Sequence, residues 1–195
     1  AGGLSEALAS DGRVSVQRKA RTLETLARAE FDEQLKALDD GLTRDPVSIA
    51  VLMMGIQDRV SVKLANGRRA TFGTEEWRAE VGRRVELVAR TFRKHQVAVY
   101  WVSLPILRRH EANEDAQTFN AVIRERGYPS GVRYIDAYAG FADEDGEYAS
   151  RGPDIAGQSV QLRSSDGVGF TPAGNRKLAH FVERELKRDL NQARN

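Results

Sequence analysis

Residues 46–58 read PVSIAVLMMGIQD, a continuous apolar run that ends in a glycine and then turns polar. A run of this kind predicts a strand buried on both faces, because helices cover both faces of a parallel sheet. A second run, VAVYWVSLP at 97–105, predicts another buried strand. Together they indicate a fold built around a parallel sheet.

Helical patterns separate the predicted strands. Gly41 is expected to end the first long helix, whereas Thr74 and Thr171 are expected to cap the starts of two later ones. Strands that alternate with helices predict an α/β fold. The predicted helices are 2–10, 22–40, 72–95, 113–127 and 171–190, the predicted strands are 13–17, 46–55, 97–105 and 131–136, and 137–165 is predicted to be irregular.

Composition narrows the function classes. The 195 residues fit a single domain over 1–195, and 30 basic against 28 acidic residues do not predict nucleic-acid binding. The chain has no cysteine, and its three histidines have no carboxylate at ligand spacing, so no metal site or cofactor is predicted. No apolar run approaches the roughly 20 residues that span a bilayer.

Ligands of open α/β sheets bind beyond the carboxyl ends of the strands. Three loops are expected there: MMGIQDRVSV at 53–62, SLPILRRHEAN at 103–113 and SSDGVGFTPAG at 164–174. The first contains Gly55-Ile-Gln-Asp58, and the last contains Asp166-Gly-Val-Gly169.

These two blocks, in this order, resemble the SGNH (GDSL-type) hydrolases, which carry Gly-x-Asn-Asp after a central strand and Asp-x-x-His before the last helix. The stretch from about Val47 to Leu190 is similar to a bacterial, envelope-associated branch. The resemblance implies a three-layer α/β/α fold with a flavodoxin-like parallel sheet, and a periplasmic or cell-envelope location.

The resemblance implies ester hydrolysis by a serine, with a histidine as general base and an aspartate that orients it. Asp166 matches that aspartate, but Gly169 occupies the histidine position. Gly55 matches the oxyanion-hole glycine, whereas Gln57, one methylene longer, replaces the asparagine. The resemblance therefore predicts an enzyme that has lost its base.

The serine block of the family is absent, because AGGLSEAL at 1–8 resembles the segment that follows it. We therefore expect either that the chain is incomplete at its N-terminus and lacks the first, central strand of the 2-1-3-4-5 order, or that its strand order differs from that of the family. Ser5 lies in the first predicted helix and is not expected to be the nucleophile.

Other residues in the three loops have both a functional and a structural interpretation. His110 is the best available substitute base, and Asp58, Arg59, Arg108 and Gly169 are candidates for ligand contact. The structural alternative for Asp58 is that it holds the turn after its strand, and for Asp166 that it caps its own loop. Three further features are candidates for ligand binding, each with a structural alternative. Arg109 and Arg163 would add positive charge at the mouth of the cleft, Trp77 or Trp101 would stack on a sugar ring, and Tyr138, Phe141 and Tyr148 would form a binding rim.

Three functions follow. The first is a pseudoenzyme of the cell envelope that binds a small molecule, a glycan, an acyl-bearing ligand or a protein partner. The second is an active esterase or acetylhydrolase with an upstream serine and His110 as base. The third is a structural interaction domain.

Overall fold

The computed structural model describes residues 15–16 and 23–193. Contacts divide them into two compact units. The sheet unit comprises residues 23–104 and 111–134, and the C-terminal unit comprises residues 15–16, 105–110 and 135–193.

The fold belongs to the α/β class, as predicted, and its centre is a parallel sheet. The first strands of this sheet are β1 (Ile49–Leu52) and β4 (Ala98–Val102), which run parallel with Ile49 opposite Ala98 and Leu52 opposite Trp101. β5 (Arg133–Ile135) completes the order β1-β4-β5, which agrees with the last three strands of the flavodoxin-like order. The remaining elements of the sheet unit are α1 (Phe31–Arg44), the hairpin β2 (Val62–Lys63) and β3 (Arg69–Ala70), α2 (Glu75–Lys94) and α3 (His110–Gly127), whose first residue belongs to the other unit.

The C-terminal unit contains α4 (Ala137–Gly140), the hairpin β6 (Arg151–Pro153) and β7 (Ser159–Gln161), and α5 (Pro172–Gln192). Its core is built around Ile106, Phe141 and Leu162. Thr171 caps α5 as predicted, with its hydroxyl accepting a hydrogen bond from the Gly174 N–H at 3.1 Å.

Several predicted boundaries are wrong. α1 begins at Phe31 rather than 22, and it runs through the half-buried Gly41, which was predicted to end it, as far as Arg44. α3 begins three residues earlier than predicted, so His110 lies on a helix. The stretch 137–165 is only partly irregular, because it contains α4 and the β6–β7 hairpin. β1 is half-buried instead of buried on both faces.

The N-terminal predictions fall largely outside the described residues. This holds for the helix at 2–10, for Ser5 and for most of the strand at 13–17. Ser15 and Val16, which are described, are not in a strand.

Candidate functional site

The loop that carries Asp166 lies between β7 and α5. One carboxylate oxygen, Oδ1, accepts hydrogen bonds from the Ser164 hydroxyl at 2.6 Å and from the N–H groups of Val168 and Gly169 at 2.8 and 2.9 Å. All three donors belong to residues 164–169, the loop that contains Asp166 itself. Asp166 therefore organises its own loop, which is the structural alternative that the sequence left open.

These bonds also fix the charge of Asp166. The Ser164 hydroxyl, followed by the N–H groups of Gly169 and Val168, lowers the pKa of this exposed carboxyl to about 2, and Arg108 contributes through its charge. A carboxylate with so low a pKa is a weak proton acceptor at neutral pH. Asp166 is thus held as a carboxylate by its own loop.

A side chain at Gly169, where the resemblance would place a histidine, would have to displace the Ser164 hydroxyl. A Cβ atom on this residue would lie 2.7 Å from the Ser164 hydroxyl oxygen. The carbonyl of Gly169 is also in use, since it accepts from the Ser164 N–H and from Arg163 Nε, each at 3.1 Å. Ser164, which the sequence analysis did not single out, thus occupies the space beside Gly169, where the family has its histidine.

Arg108 and His110 lie two positions apart in the chain but differ in their surroundings. The Arg108 guanidinium donates to the Ser165 carbonyl at 2.9 Å, and its N–H donates to the Gly167 carbonyl at 3.1 Å. Arg108 therefore holds the Asp166 loop. His110 is the exposed first residue of α3.

Arg163 is a fully buried cation, with 0% of its surface exposed. Its guanidinium donates to three backbone carbonyls, those of Ile106 at 2.6 Å, Val168 at 2.9 Å and Gly169 at 3.1 Å. Burial lowers its pKa. Arg163 is thus a structural residue rather than part of an electropositive mouth, and this corrects the sequence-based interpretation.

Aromatic rings enclose the same guanidinium. Its carbon lies 4.8 Å from the ring centre of Phe170, 5.1 Å from that of Tyr148 and 6.0 Å from that of Phe141. Phe141 and Tyr148, two members of the predicted binding rim, therefore pin the 137–165 stretch around Arg163.

The other candidate loop, residues 53–59, follows β1 in the sheet unit. Gly55 adopts φ 134°, a region that favours glycine, and a Cβ atom there would lie 2.4 Å from the Phe119 ring. Gly55 is therefore fixed by close packing against α3. The Gln57 side chain is exposed, and the backbone carbonyl of Gln57 accepts a hydrogen bond from Arg28 Nε at 2.9 Å.

Asp58 and Arg59 both have protein partners. Asp58 is 0% exposed, and its carboxylate accepts from the Thr25 hydroxyl at 2.5 Å and from the N–H groups of Leu26 and Ala27 at 2.9–3.1 Å. Arg59 forms an ion pair with Asp115 at 2.6 Å. Asp58 is thus a structural anchor for residues 25–27 and not a ligand contact.

Both tryptophans are excluded as stacking platforms. Trp77 and Trp101 are 0% exposed, and the Trp77 indole N–H donates to the Val60 carbonyl at 2.9 Å. Within each unit, the structure gathers the predicted residues into one group: Arg108, Asp166 and Gly169 in the C-terminal unit, and Gly55, Gln57, Asp58 and Arg59 in the sheet unit.

Among residues 15–16 and 23–193, no cluster of three or more His, Cys, Asp or Glu side chains is placed to hold a metal ion. None of the helices in those ranges is long and apolar enough to cross a membrane.

Comparison with known proteins gives a family and a fold. The family model described as "Protein of unknown function (DUF459)" matches residues 1–185. No curated protein matches the sequence. The crystal structure of the C-terminal domain of the Drosophila Oskar protein is similar at a TM-score of 0.51 and 13% identity, covering 94% of this chain and 82% of that chain. The OSK domain of Drosophila Oskar gives a TM-score of 0.49 and 13% identity, covering 93% and 83%.

Proposed function

The chain belongs to the DUF459 family, which is SGNH-like, and has a hydrolase-like fold; from this premise we propose that it is a pseudoenzyme that binds its ligand without cleaving it. The fold is shared at too low an identity to transfer an activity from the solved structures. The proposal therefore depends on the site itself.

One observation carries the proposal. The carboxylate that would orient a histidine is taken up by Ser164, Val168 and Gly169 of its own loop, and the histidine position is Gly169. A serine hydroxyl without a general base is a poor nucleophile at neutral pH. Loss of one member of a triad leaves only the small residual catalysis that binding and the oxyanion hole supply.

The exposed side chains of residues 53–57 favour an acyl-bearing ligand of the cell envelope. Because both tryptophans are buried, neither can stack on a sugar ring. Met53 and Ile56 are each 40% exposed and offer apolar contact, and the Gln57 amide offers a donor for a carbonyl oxygen. A protein partner is the remaining alternative, and the cell-envelope location is part of the proposal.

The first experiment measures turnover of p-nitrophenyl acetate and p-nitrophenyl butyrate. We expect no release above the buffer rate from the wild-type protein or from His110→Ala. Turnover that His110→Ala abolishes would instead establish an active esterase with His110 as base.

The second experiment measures binding through thermal stabilisation by octyl glucoside below its micellar concentration, a probe with both a sugar and an alkyl chain. A ligand that binds only the folded state raises the melting temperature. We expect a rise that Gln57→Ala reduces and that Gln96→Ala, an exposed glutamine of the same unit, leaves unchanged. No rise at any concentration, or equal effects of the two variants, would contradict binding at this loop.

A further inference from the structure

A cavity of about 200 Å³ lies at the amino end of β4, within the sheet unit. Residues 53–57 follow the opposite end of the paired strands, since the parallel register begins with Ile49 beside Ala98. The cavity is therefore distinct from the loop discussed above. At roughly 30 Å³ for each water molecule, its volume equals that of about seven waters, which is enough for a small organic ligand.

Part of the lining of this cavity is apolar. It comes from α2, from β4 with the residue before it, and from the segment that leads into β5. The apolar members are four buried side chains: Ala89, Val97, Val99 and Val132. Small and branched aliphatic side chains in a cavity of this size favour a ligand with a small aliphatic body.

Positive charge comes from the last turns of α2. Arg90 and Arg93 are exposed and lie three positions apart, so they neighbour each other on the helix surface. Arg93 lines the cavity, and Arg90 lines a second cavity of about 120 Å³ that shares Arg93 and Ser130 with the first. Arg93 Nη2 donates to the Ser130 carbonyl, which fixes the guanidinium and leaves its other N–H groups for an anion.

The acid in the lining of the second cavity is already paired. The Glu86 carboxylate accepts a hydrogen bond from Arg126 Nε at 2.8 Å, and this bond lowers the pKa of Glu86. The charge of Glu86 is thus balanced by Arg126, a residue of α3. Arg90 and Arg93 therefore give the two cavities a positive charge that suits an anionic group.

Gln96 lines the first cavity with an unusual backbone conformation. Its φ is 59°, and no other non-glycine residue within 15–16 and 23–193 has a positive φ. The Gln96 N–H bonds the Arg93 carbonyl at 2.9 Å, and the Val97 N–H bonds the Phe92 carbonyl at 3.0 Å. These two bonds form a Schellman motif at the end of α2, and its left-handed position usually carries glycine. A glutamine there costs stability, and such strain is typical of functional sites.

We propose that this cavity binds an aliphatic carboxylate, which is either a free short-chain acid or the C-terminal residue of a peptide. A guanidinium binds a carboxylate through two parallel hydrogen bonds, and the Gln96 amide supplies a further donor. The apolar lining contacts the aliphatic body. Inorganic phosphate would satisfy the arginines but not that lining. The proposal does not rest on the loss of hydrolysis or on the ligand proposed for residues 53–57.

Titration of the whole chain with sodium 3-methylbutanoate, followed through its backbone amide NMR spectrum, tests the site. The matched probe is 3-methylbutanamide, which keeps the branched body and lacks the charge. At constant ionic strength, we expect the acid to shift the amide signals of residues 96–99 and 130–132, and the amide to bind about tenfold more weakly or less. Equal binding of acid and amide, equal binding of sodium phosphate, or no shift at these residues would overturn the proposal.

Two peptides distinguish the sources of the carboxylate. They are acetyl-Gly-Gly-Val with a free C-terminus and the same peptide with a C-terminal amide. Tighter binding of the free peptide than of 3-methylbutanoate would identify a peptide C-terminus, whereas binding of 3-methylbutanoate alone would identify a free acid. Equal binding of the two peptides would contradict recognition of a carboxylate.

Charge variants locate the anion. Arg90→Gln/Arg93→Gln should weaken binding of 3-methylbutanoate about tenfold or more, and Arg90→Gln alone, which leaves the Arg93 bond in place, should weaken it several-fold. The matched control is Arg28→Gln/Arg78→Gln, which removes two exposed guanidiniums that each donate to one backbone carbonyl. Arg78 is about 22 Å from Arg93 along α2. Circular dichroism checks folding, and equal effects of the two double variants would overturn the proposal.

Gln96→Gly separates binding from stability. Because glycine adopts the left-handed conformation without strain, the melting temperature of this variant should equal or exceed that of wild type. Binding of 3-methylbutanoate should nevertheless weaken several-fold, since the amide donor is lost. A purely structural glutamine would leave binding unchanged, and that result would contradict the proposed role of Gln96 in the site.

Discussion

At the residue scale, Asp166 shows how one side chain can keep a family position while its role changes. The sequence predicted that Asp166 matches the aspartate of the Asp-x-x-His pattern and that a glycine, Gly169, stands at the histidine position. The role of Ser164 could not, because only the folded turn brings its hydroxyl to 2.6 Å from the carboxylate. A serine two residues before an aspartate was the available signal.

The low pKa of Asp166 makes the loop sensitive to acid. Because folding lowers this pKa from 3.8 to about 2, ionised Asp166 stabilises the folded protein above about pH 4, and this contribution is lost as the pH falls toward 2. The melting temperature of Asp166→Asn should therefore lie below that of wild type at pH 7, and the gap should close between about pH 4 and about pH 2. A gap that stays constant over this range would contradict the assigned bonds.

Restoring the histidine should meet a steric obstacle. The backbone of Gly169 is not left-handed, but a Cβ atom would lie 2.7 Å from the Ser164 hydroxyl oxygen and displace it from Asp166. Gly169→His should thus lower the free energy of unfolding, because the hydrogen bond from the Ser164 hydroxyl to the Asp166 carboxylate is lost.

The same substitution in a Ser164→Ala background should cost less, since the obstructing oxygen is gone. Urea unfolding of the two single variants and the double variant measures this coupling. Additive effects would show that Ser164 does not control the space beside Gly169.

At the element scale, two loops are held by contacts that sequence patterns do not reveal. Gly55 was expected to be an oxyanion-hole donor, and its packing against Phe119 emerges only when α3 lies beside the end of β1. The sequence analysis missed the β6–β7 hairpin, although DIAGQ at 154–158 contains the Asp and Gly that are typical of a turn. In the structure Gly157 adopts φ 82°. Asp154 bonds across that turn, with its side chain accepting from the Ala156 and Gln158 N–H groups.

Gly55→Ala should cost roughly 2–5 kcal/mol of stability, because the unfavourable backbone angle and the clash with Phe119 add together. Gly67→Ala is the matched control, since Gly67 has φ 85° and open space around its Cβ position. It should cost only the backbone part, about 1–2 kcal/mol. Equal costs in urea unfolding would mean that the Phe119 contact does not constrain the loop.

Arg163 should be the most sensitive cation of the C-terminal unit. Arg163→Lys removes the donors that serve the Ile106, Val168 and Gly169 carbonyls, and leaving such groups unpaired in the interior should cost roughly 2–4 kcal/mol. Arg109→Lys, at an exposed position, should change stability by less than about 0.5 kcal/mol. Thermal or chemical unfolding measures both changes in stability. A small effect of Arg163→Lys would contradict the hydrogen bonds assigned to the buried guanidinium.

At the scale of the whole molecule, the sequence predicts the fold class better than the site. The apolar runs at 46–55 and 97–105 led to β1 and β4, and their parallel pairing follows from the alternation with helices. The candidate binding role of Asp58 was wrong because burial is a tertiary property: its carboxylate is matched to residues 25–27, far from it in the chain. The candidate role of Arg163 in an electropositive mouth was wrong for the same reason, because its guanidinium is buried in the folded protein.

The central proposal is that no serine among the described residues is activated, because Asp166 accepts hydrogen bonds from its own loop and Gly169 supplies no base. Incubation with a fluorophosphonate, which reacts with activated serines, followed by measurement of the intact mass tests this most directly. We predict an unchanged mass under conditions that fully label an active serine esterase. A stoichiometric adduct on a single serine would contradict the claim.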